Sequence, residues 1–355
     1  MPMSFAKANP LFLRAPRPLL RASLRRGRRA FHRGLVNCVP LKRLLQVHYW
    51  WSTGVWPDLD RPKDFSEKLT ADKLRQPSPL EIQCADKIAV RAYVARAYGP
   101  DILIPLVLTT RNVREISPQT ISEENFVIKT NHDSGTVFVC KDRENFDWEL
   151  ARFSLTDKMS LNYYYHSFEP QYKQISPAII VEKYIEDIEA GEVADYKIFC
   201  FAGEPKLFQV DFGRFSQHTR LFVDTAWRRL PLRRARYGVP EATEAVPPPP
   251  TLTKMLDCAR ALAKPFPFCR VDLYSTDTRI WFGELTFRPW AGAARYEPAE
   301  WERRLGDWLT SNRGDAPEES NLDEARVHEE PTDAVGNVPG EIGRASCRER
   351  VYTKV

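Results

Sequence analysis

A chain of 355 residues, 43% hydrophobic and 28% charged, is long enough for two domains or one large one with an ordinary soluble core. No apolar run approaches the roughly 18 residues needed to cross a bilayer. Seven cysteines (38, 84, 140, 200, 258, 269, 347) lack C-x-x-C spacing, which argues against a zinc ribbon or disulfide scaffold and for a reducing compartment. The net charge of +5 is uneven: residues 1–57 hold eleven of the 52 basic residues and none of the 47 acidic ones. This leader is a separate electrostatic object on an otherwise net acidic chain.

Within the leader, residues 1–45 mix arginines with Leu, Phe and Val, and prolines at 10, 16 and 18 interrupt any early helix. Residues 19–36 can form a basic amphipathic helix of the kind that lies on anionic headgroups. A solvated arm or a helix packed on the body are the plainer alternatives, and no nucleic-acid partner is expected. A secretory signal is not expected, because no apolar block with a small-residue cleavage site follows. The expected location is cytoplasmic, at the inner face of the membrane if the leader binds lipid.

After the leader, residues 64–74 (DFSEKLTADKL) predict a helix start capped by Ser66. Residues 84–98 (CADKIAVRAYVARAY) have helical apolar spacing and stop at Gly99-Pro100, and 101–109 (DILIPLVLT) read as a strand. A strand at 126–130 (FVIKT), a polar turn at 131–135 and a strand at 136–140 follow, then partly helical sequence over 146–165. From 179 strands dominate as far as the four-proline tip at 247–250, a helix is expected over 253–263, and two more strands carry RVDLY (270–274) and WFGELTF (281–287). The last amphipathic helix is predicted at 299–309. Residues 313–340 are acidic and poor in large apolar residues, and are expected to be disordered. Residues 341–351 (EIGRASCRERV) match the translation of a short-read library adapter, so 341–355 are taken as an artefact and left out of the functional argument.

Several strand-like runs carry charges where a core strand carries none, and unpaired buried charge is costly. Lys129 ends a strand and is followed by Asn131, His132, Asp133, Ser134 and Gly135, a turn able to set backbone N–H groups around an anion. A plain hairpin with a flanking lysine has the same pattern. Glu182 and Lys183 interrupt IIVEKYI (179–185), either as an edge strand or as a linker whose backbone meets a base. Lys197, in DYKIFCF (195–201), can pair with Glu182 or with a phosphate. Asp272 and Glu284 lie on strands joined across a turn at 275–278, so a hairpin would put both carboxylates on one face. Hard oxygen donors of this sort suit Mg²⁺, which takes one or two carboxylates with phosphate and water oxygens. A buried pair of Asp272 with Arg270 or Arg288 is the structural alternative. No H-E-x-x-H cluster or G-x-S-x-G elbow is present.

The run from FSEKL (65–69) through CADKIAVRAYV (84–94), ILIPL (102–106), FVIKTNHDSG (126–135), IIVEKYI, DYKIFCF, RVDLY and GELTF to about Leu309 resembles the TupA-like branch of the ATP-grasp superfamily. The resemblance implies an α+β fold, with two α+β lobes clasping ATP between mainly antiparallel sheets. The implied division is a segment and first lobe over 58–178 and a second lobe with the metal site over 179–312. Lys129 and Lys197 would contact ATP phosphates, and the turn Asn131–Gly135, with His132 and Ser134, would cover them. Glu182 would face the adenosine, with the Lys183–Ile185 backbone beside the base, and Asp272 and Glu284 would hold Mg²⁺. Many relatives carry a metal-ligating Asn where this chain has Thr286. Arg214, Arg270 and Arg288 are candidates for holding a carboxylate substrate, Arg288 first; Arg288 and Lys197 are therefore the candidate catalytic residues.

The implied activity is an ATP-dependent carboxylate–amine ligase acting through an acyl phosphate in cell-surface polysaccharide or teichuronopeptide-type biosynthesis. The implied partners are a small-molecule or glycan carboxylate, an amine, ATP and Mg²⁺, with possible peripheral membrane contact through residues 1–45. Two alternatives stay open: a glycosyltransferase of polysaccharide biosynthesis, and a non-catalytic, membrane-associated nucleotide binder.

Overall fold

The computed structural model describes Gly34 and residues 38–185, 194–212, 218–235, 239–242, 246–276, 278–310 and 352–354. The expectations for a helix at 19–36, for Arg214, for the tail at 313–340 and for most of 341–355 lie outside these residues.

The elements follow from local chemistry. Helix α1 (Leu41–Thr53) starts after Pro40, stops at Gly54 (φ 80°) and buries Leu45 and Tyr49; the sequence reading had placed this stretch in the leader without a helix. Helix α2 (Phe65–Ala71) is capped by a box formed by Asp64 and Glu67, not by Ser66. Ser66 sits inside the helix, its N–H donating to Glu302 (2.8 Å) and its hydroxyl to the Ala294 carbonyl (2.7 Å). The single helix expected over 84–98 is two, α3 (Pro79–Ala85) and α4 (Val90–Ala97). Asp86 causes the break: its carboxylate accepts from the N–H groups of Ile88 (2.8 Å) and Ala89 (3.3 Å), a side-chain alternative to helical bonding.

The strand expected over 101–109 shortens to β1 (Leu106–Thr110), a short 3₁₀ turn at Pro100–Ile102 taking its start. Strands β2 (Phe126–Thr130) and β3 (Val137–Cys140), helices α5 (Trp148–Met159) and α6 (Tyr164–Ser167), and strand β4 (Ile179–Lys183) complete the first half. Then come β5 (Ala194–Phe201), β6 (Glu204–Phe212), β7 (Thr219–Asp224), β8 (Arg233–Arg234), α7 (Leu252–Ala263), β9 (Phe268–Ser275), β10 (Ile280–Thr286), β11 (Tyr296–Glu297), α8 (Ala299–Thr310) and β12 (Tyr352–Lys354).

The first sheet has the order β1-β4-β2-β3-β12 and is antiparallel except for β12, which lies parallel to β3. Its Phe126, Ile128 and Val181 share a core with Leu155 of α5. The second sheet, β10-β9-β5-β6-β7, is antiparallel throughout. One of its faces sets Ile198, Phe208, Val210 and Val271 against Met255 and Leu262 of α7 and Val94 of α4. Half of the other face is apolar, where Phe199, Phe201, Phe222 and Phe268 meet Phe65 of α2 and Leu305 of α8. The remaining half is polar and is described below. Each fully buried apolar side chain here is worth about 1.5–3 kcal/mol, so these cores hold the two sheets rigid around their polar faces.

The α+β class and the two mainly antiparallel lobes match expectation, but the division after residue 178 does not match the pairing. Strand β4 lies inside the first sheet, between β1 and β2. The helices of the N-terminal segment, α2 to α4, pack on the second sheet. A run such as IIVEK shows that a strand exists but carries no information about a partner fifty residues away. Helices α2 and α8 approach closely: a Cβ on Gly306 would lie 2.5 Å from the Lys63 carbonyl oxygen. Among the described residues, no helix is long and apolar enough to cross a membrane.

Candidate active site

Cross-strand neighbours in a sheet project to the same side. The register therefore sets out the polar half-face of the second sheet: Asp195 opposite Asp211, Lys197 between Gln209 and Asp272, Asp272 opposite Glu284, Arg270 opposite Thr286, and Asp211 opposite Arg220. All five strands contribute. The hairpin reading of Asp272 and Glu284 is thus met. A bulge at Gly283 produces that register, and the glycine is required because a Cβ there would sit 2.9 Å from the Asp272 carbonyl oxygen.

The charges on this face are heavily interlinked. Arg270 clasps Asp272 with two bonds of 2.6 Å, and lies 3.4 Å from Glu284 and 3.1 Å from the Thr286 hydroxyl. The Thr286 hydroxyl donates to Glu284 (3.1 Å), so the residue at the variant metal position steadies a carboxylate. The ammonium of Lys197 touches Asp195 and lies 3.5 Å from Asp272 and 3.7 Å from Asp211. Burial would lower the Arg270 guanidinium, but Asp272 outweighs it and keeps the group charged. Burial pushes the Asp272 carboxyl up despite the pull of Arg270 and Lys197. Burial alone would raise Asp211 too; there the bond from His218 and the charges of Lys197 and Arg220 win, holding it far below the usual carboxylate range.

From the first sheet, Lys129 and Glu182 face one another on β2 and β4. The Lys129 ammonium lies 2.9 Å from one Glu182 oxygen, and Arg91 of α4 lies 3.0 Å from the other. Burial would depress Lys129, but Glu182 raises it well above its ordinary value, with help from Tyr274 and Glu284. Lys129 is therefore within electrostatic reach of Tyr274 on β9 and Glu284 on β10. Burial raises the Tyr172 phenol, and Glu169, Glu284 and Asp133 act in the same direction.

Other expected residues are placed differently. In the turn after Lys129, only Ser134 and Gly135 (φ 96°) reach the surface. Asn131 is buried, donating to the Ser176 carbonyl (3.1 Å) and accepting from the Ala178 N–H (2.7 Å). His132 is buried beside it, 3.2 Å from the Asn131 side-chain oxygen, and burial lowers its pKa. The Lys183 side chain is exposed and its N–H donates to the Pro105 carbonyl (3.0 Å); the Tyr184 N–H donates to that of Asn125 (3.2 Å). These two N–H groups are committed to the fold, while Ile185 is half-buried at the end of the strand.

Arg288 departs furthest from expectation. Its side chain is fully enclosed, donating to Gln171 (2.7 Å) and Asp72 and lying 3.5 Å from Glu81. It fastens the N-terminal segment to the end of β10 and does not present its charge to a substrate. Sequence reasoning missed Arg91, Tyr172, Gln209, Asp211 and Arg220. LFQVDF (207–212) did carry a signal, since polar Gln209 and Asp211 alternate with apolar neighbours at strand period.

For a metal, Asp272 and Glu284 provide opposed hard-oxygen donors, the usual small protein share of a Mg²⁺ site in which phosphate oxygens complete the shell. Among the described residues, no set of three or more His, Cys, Asp and Glu side chains is grouped to hold a metal without such a ligand. A separate cleft of about 570 Å³ is lined by Gln83, Asp86, Thr110, Asn131 and Ser176, away from this pair.

Comparison with solved structures gives matches at low identity and low TM-score. D-alanine–D-alanine ligase from Bacillus anthracis matches at 16% identity over 64% of this chain and 67% of that one (TM-score 0.36), and its ATP complex at 14% over 70% and 73% (0.38). The ATP-grasp ligase PsnB with a minimal precursor matches at 10% over 66% and 62% (0.35). A comparison with curated proteins returned no match. The family profile described as TupA-like ATPgrasp matches residues 67–310, which takes in β1 to β4 of the first sheet and every strand of the second. The chain belongs to the TupA-like ATP-grasp family.

Proposed function

We propose that the protein is an ATP-dependent ligase that joins a carboxylate to an amine through an acyl phosphate, in the building or decoration of a cell-surface polysaccharide. The observation that carries this reading is the cross-strand pair Asp272–Glu284 beside Lys197 on the second sheet, with Lys129 of the first sheet within electrostatic reach of Glu284. Lys129 and Lys197 hold the phosphates, and Glu182, anchored by Arg91, faces the nucleoside. Asp272 and Glu284 would hold Mg²⁺, which would neutralise charge on the phosphates.

An acceptor carboxylate oxygen attacks the γ-phosphorus, and the bond from that phosphorus to the bridging oxygen breaks, leaving ADP. The amine nitrogen then attacks the acyl carbon; the C–O bond to phosphate breaks, phosphate leaves, and the nitrogen gives up its proton. The chain's part is to align groups and exclude water, since phosphoryl transfer needs little covalent help.

ATP use and buried free cysteines fit a cytoplasmic enzyme. Contact with the inner membrane face gains support from the exposed Trp50, Trp51 and Trp56, at the C-terminal end of the basic leader. Co-sedimentation with anionic vesicles that survives both deletion of residues 1–45 and replacement of these tryptophans would overturn that part.

The test of the nucleotide site is thermal stability with and without Mg-ATP. At about a hundred times its dissociation constant, a ligand adds roughly 2.7 kcal/mol. A Mg-dependent rise in the wild type that disappears in Glu284→Ala, with hydroxylamine trapping of an acyl phosphate, is expected. A folded wild type that shows no rise contradicts the ligase reading.

A further inference from the structure

The polar face needs a place for the acceptor's own negative charge, and Arg288 does not supply one. On β7 and β11, across Asp211 and Lys197 from the Asp272–Glu284 pair, the buried donors without a hydrogen-bonding partner include Nη1 of Arg220 and the hydroxyl of Tyr296. Arg220 is only 6% exposed and Tyr296 3%, so neither donor is satisfied by bulk water. Arg220 spends its Nε on Asp211 (2.7 Å), a carboxylate that also meets His218 (3.1 Å) and Lys197 (3.7 Å), so Asp211 leaves Nη1 unserved.

Tyr296 pairs with Arg234 across β11 and β8. Its phenol is raised mainly by burial and by Glu302, while Arg270, Arg234 and Arg220 pull it the other way. Arg234 stacks on the Trp290 ring at 3.9 Å and Arg220 at 5.9 Å. Trp290 and Ala291 hold left-handed backbone angles (φ 57° and 54°) that non-glycine residues seldom adopt, and such strain gathers at ligand-holding turns. That turn begins directly after Arg288, at the end of the hairpin that carries Glu284.

We propose that Arg220 and Tyr296 form the seat for the carboxylate of the acceptor, with Nη1 and the phenol hydroxyl donating to its oxygens and Trp290 closing over it. The assignment rests on the ligase reading for the identity of the anion as a carboxylate. The geometry by itself selects a small, delocalised anion bound by a guanidinium fork and a hydroxyl.

The test uses the full chain and two probes, D-glucuronate and L-glutamate, with D-glucose as the neutral control, read by titration calorimetry without nucleotide. The wild type should bind at least one of the two carboxylates and not glucose. Tyr296→Phe removes only the hydroxyl and should weaken that binding about tenfold or more, while its affinity for Mg-ATP stays that of the wild type. Arg220→Leu should abolish carboxylate binding, and Arg220→Lys should restore part of it while sparing Asp211 a lost partner. Equal carboxylate binding by wild type and Tyr296→Phe, or none by the wild type, overturns the seat. A Tyr296-dependent carboxylate site in a chain that fails to bind Mg-ATP would leave the seat standing and bring down the ligase reading instead.

Discussion

Arg288 separates two views of this site. If it holds a substrate, replacing it leaves the fold intact and lowers turnover; if it fastens the N-terminal segment, Arg288→Met unfolds the protein more easily. The side chain is fully enclosed and meets Gln171, Asp72 and Glu81. Breaking one side of a buried ion pair costs about 3–5 kcal/mol. Arg75 continues to hold Asp72 (2.5 Å) and Glu81 (2.7 and 2.6 Å), which places the expected loss near the lower end, about 3 kcal/mol. The loss should depend on pH. Burial raises the Glu169 carboxyl, and Lys73 and Arg288 pull it back. A carboxyl raised in the folded state contributes stability below its unfolded pKa and loses it as pH rises through the folded value. Without Arg288 the folded value climbs further, so the variant should lose more against wild type at neutral pH than in mild acid. Urea unfolding of both proteins at two pH values, beside Mg-ATP binding, measures this. An unchanged midpoint with lost turnover would refute the reasoning and return Arg288 to the substrate.

Lys129→Met should weaken Mg-ATP binding by roughly tenfold to a hundredfold, the worth of a charged hydrogen bond, with folding kept because Arg91 still holds Glu182; calorimetric titration checks both. Gly283→Ala should destabilise by about 1–3 kcal/mol through overpacking against the Asp272 backbone and impair Mg-dependent binding; a stable variant with normal Mg-ATP affinity would show that the bulge can open. Glu302, fully buried beside the N–H groups of Ser66 and Tyr296, has its carboxyl raised mainly by burial. Its contribution is fully present below the ordinary carboxyl value and is lost as pH rises through the raised one, so Glu302→Gln should flatten the acid-to-neutral slope of the melting temperature.

The strands were readable because FVIKT, RVDLY and GELTF combine β-formers with bounding turns, and the Asp272–Glu284 hairpin is local enough for spacing to set its face. Three kinds of information were not local. The seating of β4 between β1 and β2 depends on partners far along the chain. The interruption at Asp86 comes from one side chain competing with a helix whose apolar spacing continues through it. The burial of Arg288, Asn131 and His132 depends on what closes over them; each has the composition of a site residue and the surroundings of a structural one.

The close approach of α2 and α8, sealed at Gly306 against the Lys63 carbonyl, has a consequence for how the molecule comes into being. More than two hundred residues separate the two helices, so this clasp is a contact of very long range, and such contacts form late because the intervening chain must first be gathered in. On the ribosome, Phe65 and Leu69 emerge early and have no seat until Phe201 and Phe268 of the second sheet are made, and Leu305 closes over them last. Until then an aromatic surface that later lies against Phe201 and Phe268 stays open. A nascent chain stalled before the second sheet would expose that surface to chaperones and to other copies of itself, while its Lys129 and Glu182 were already in place.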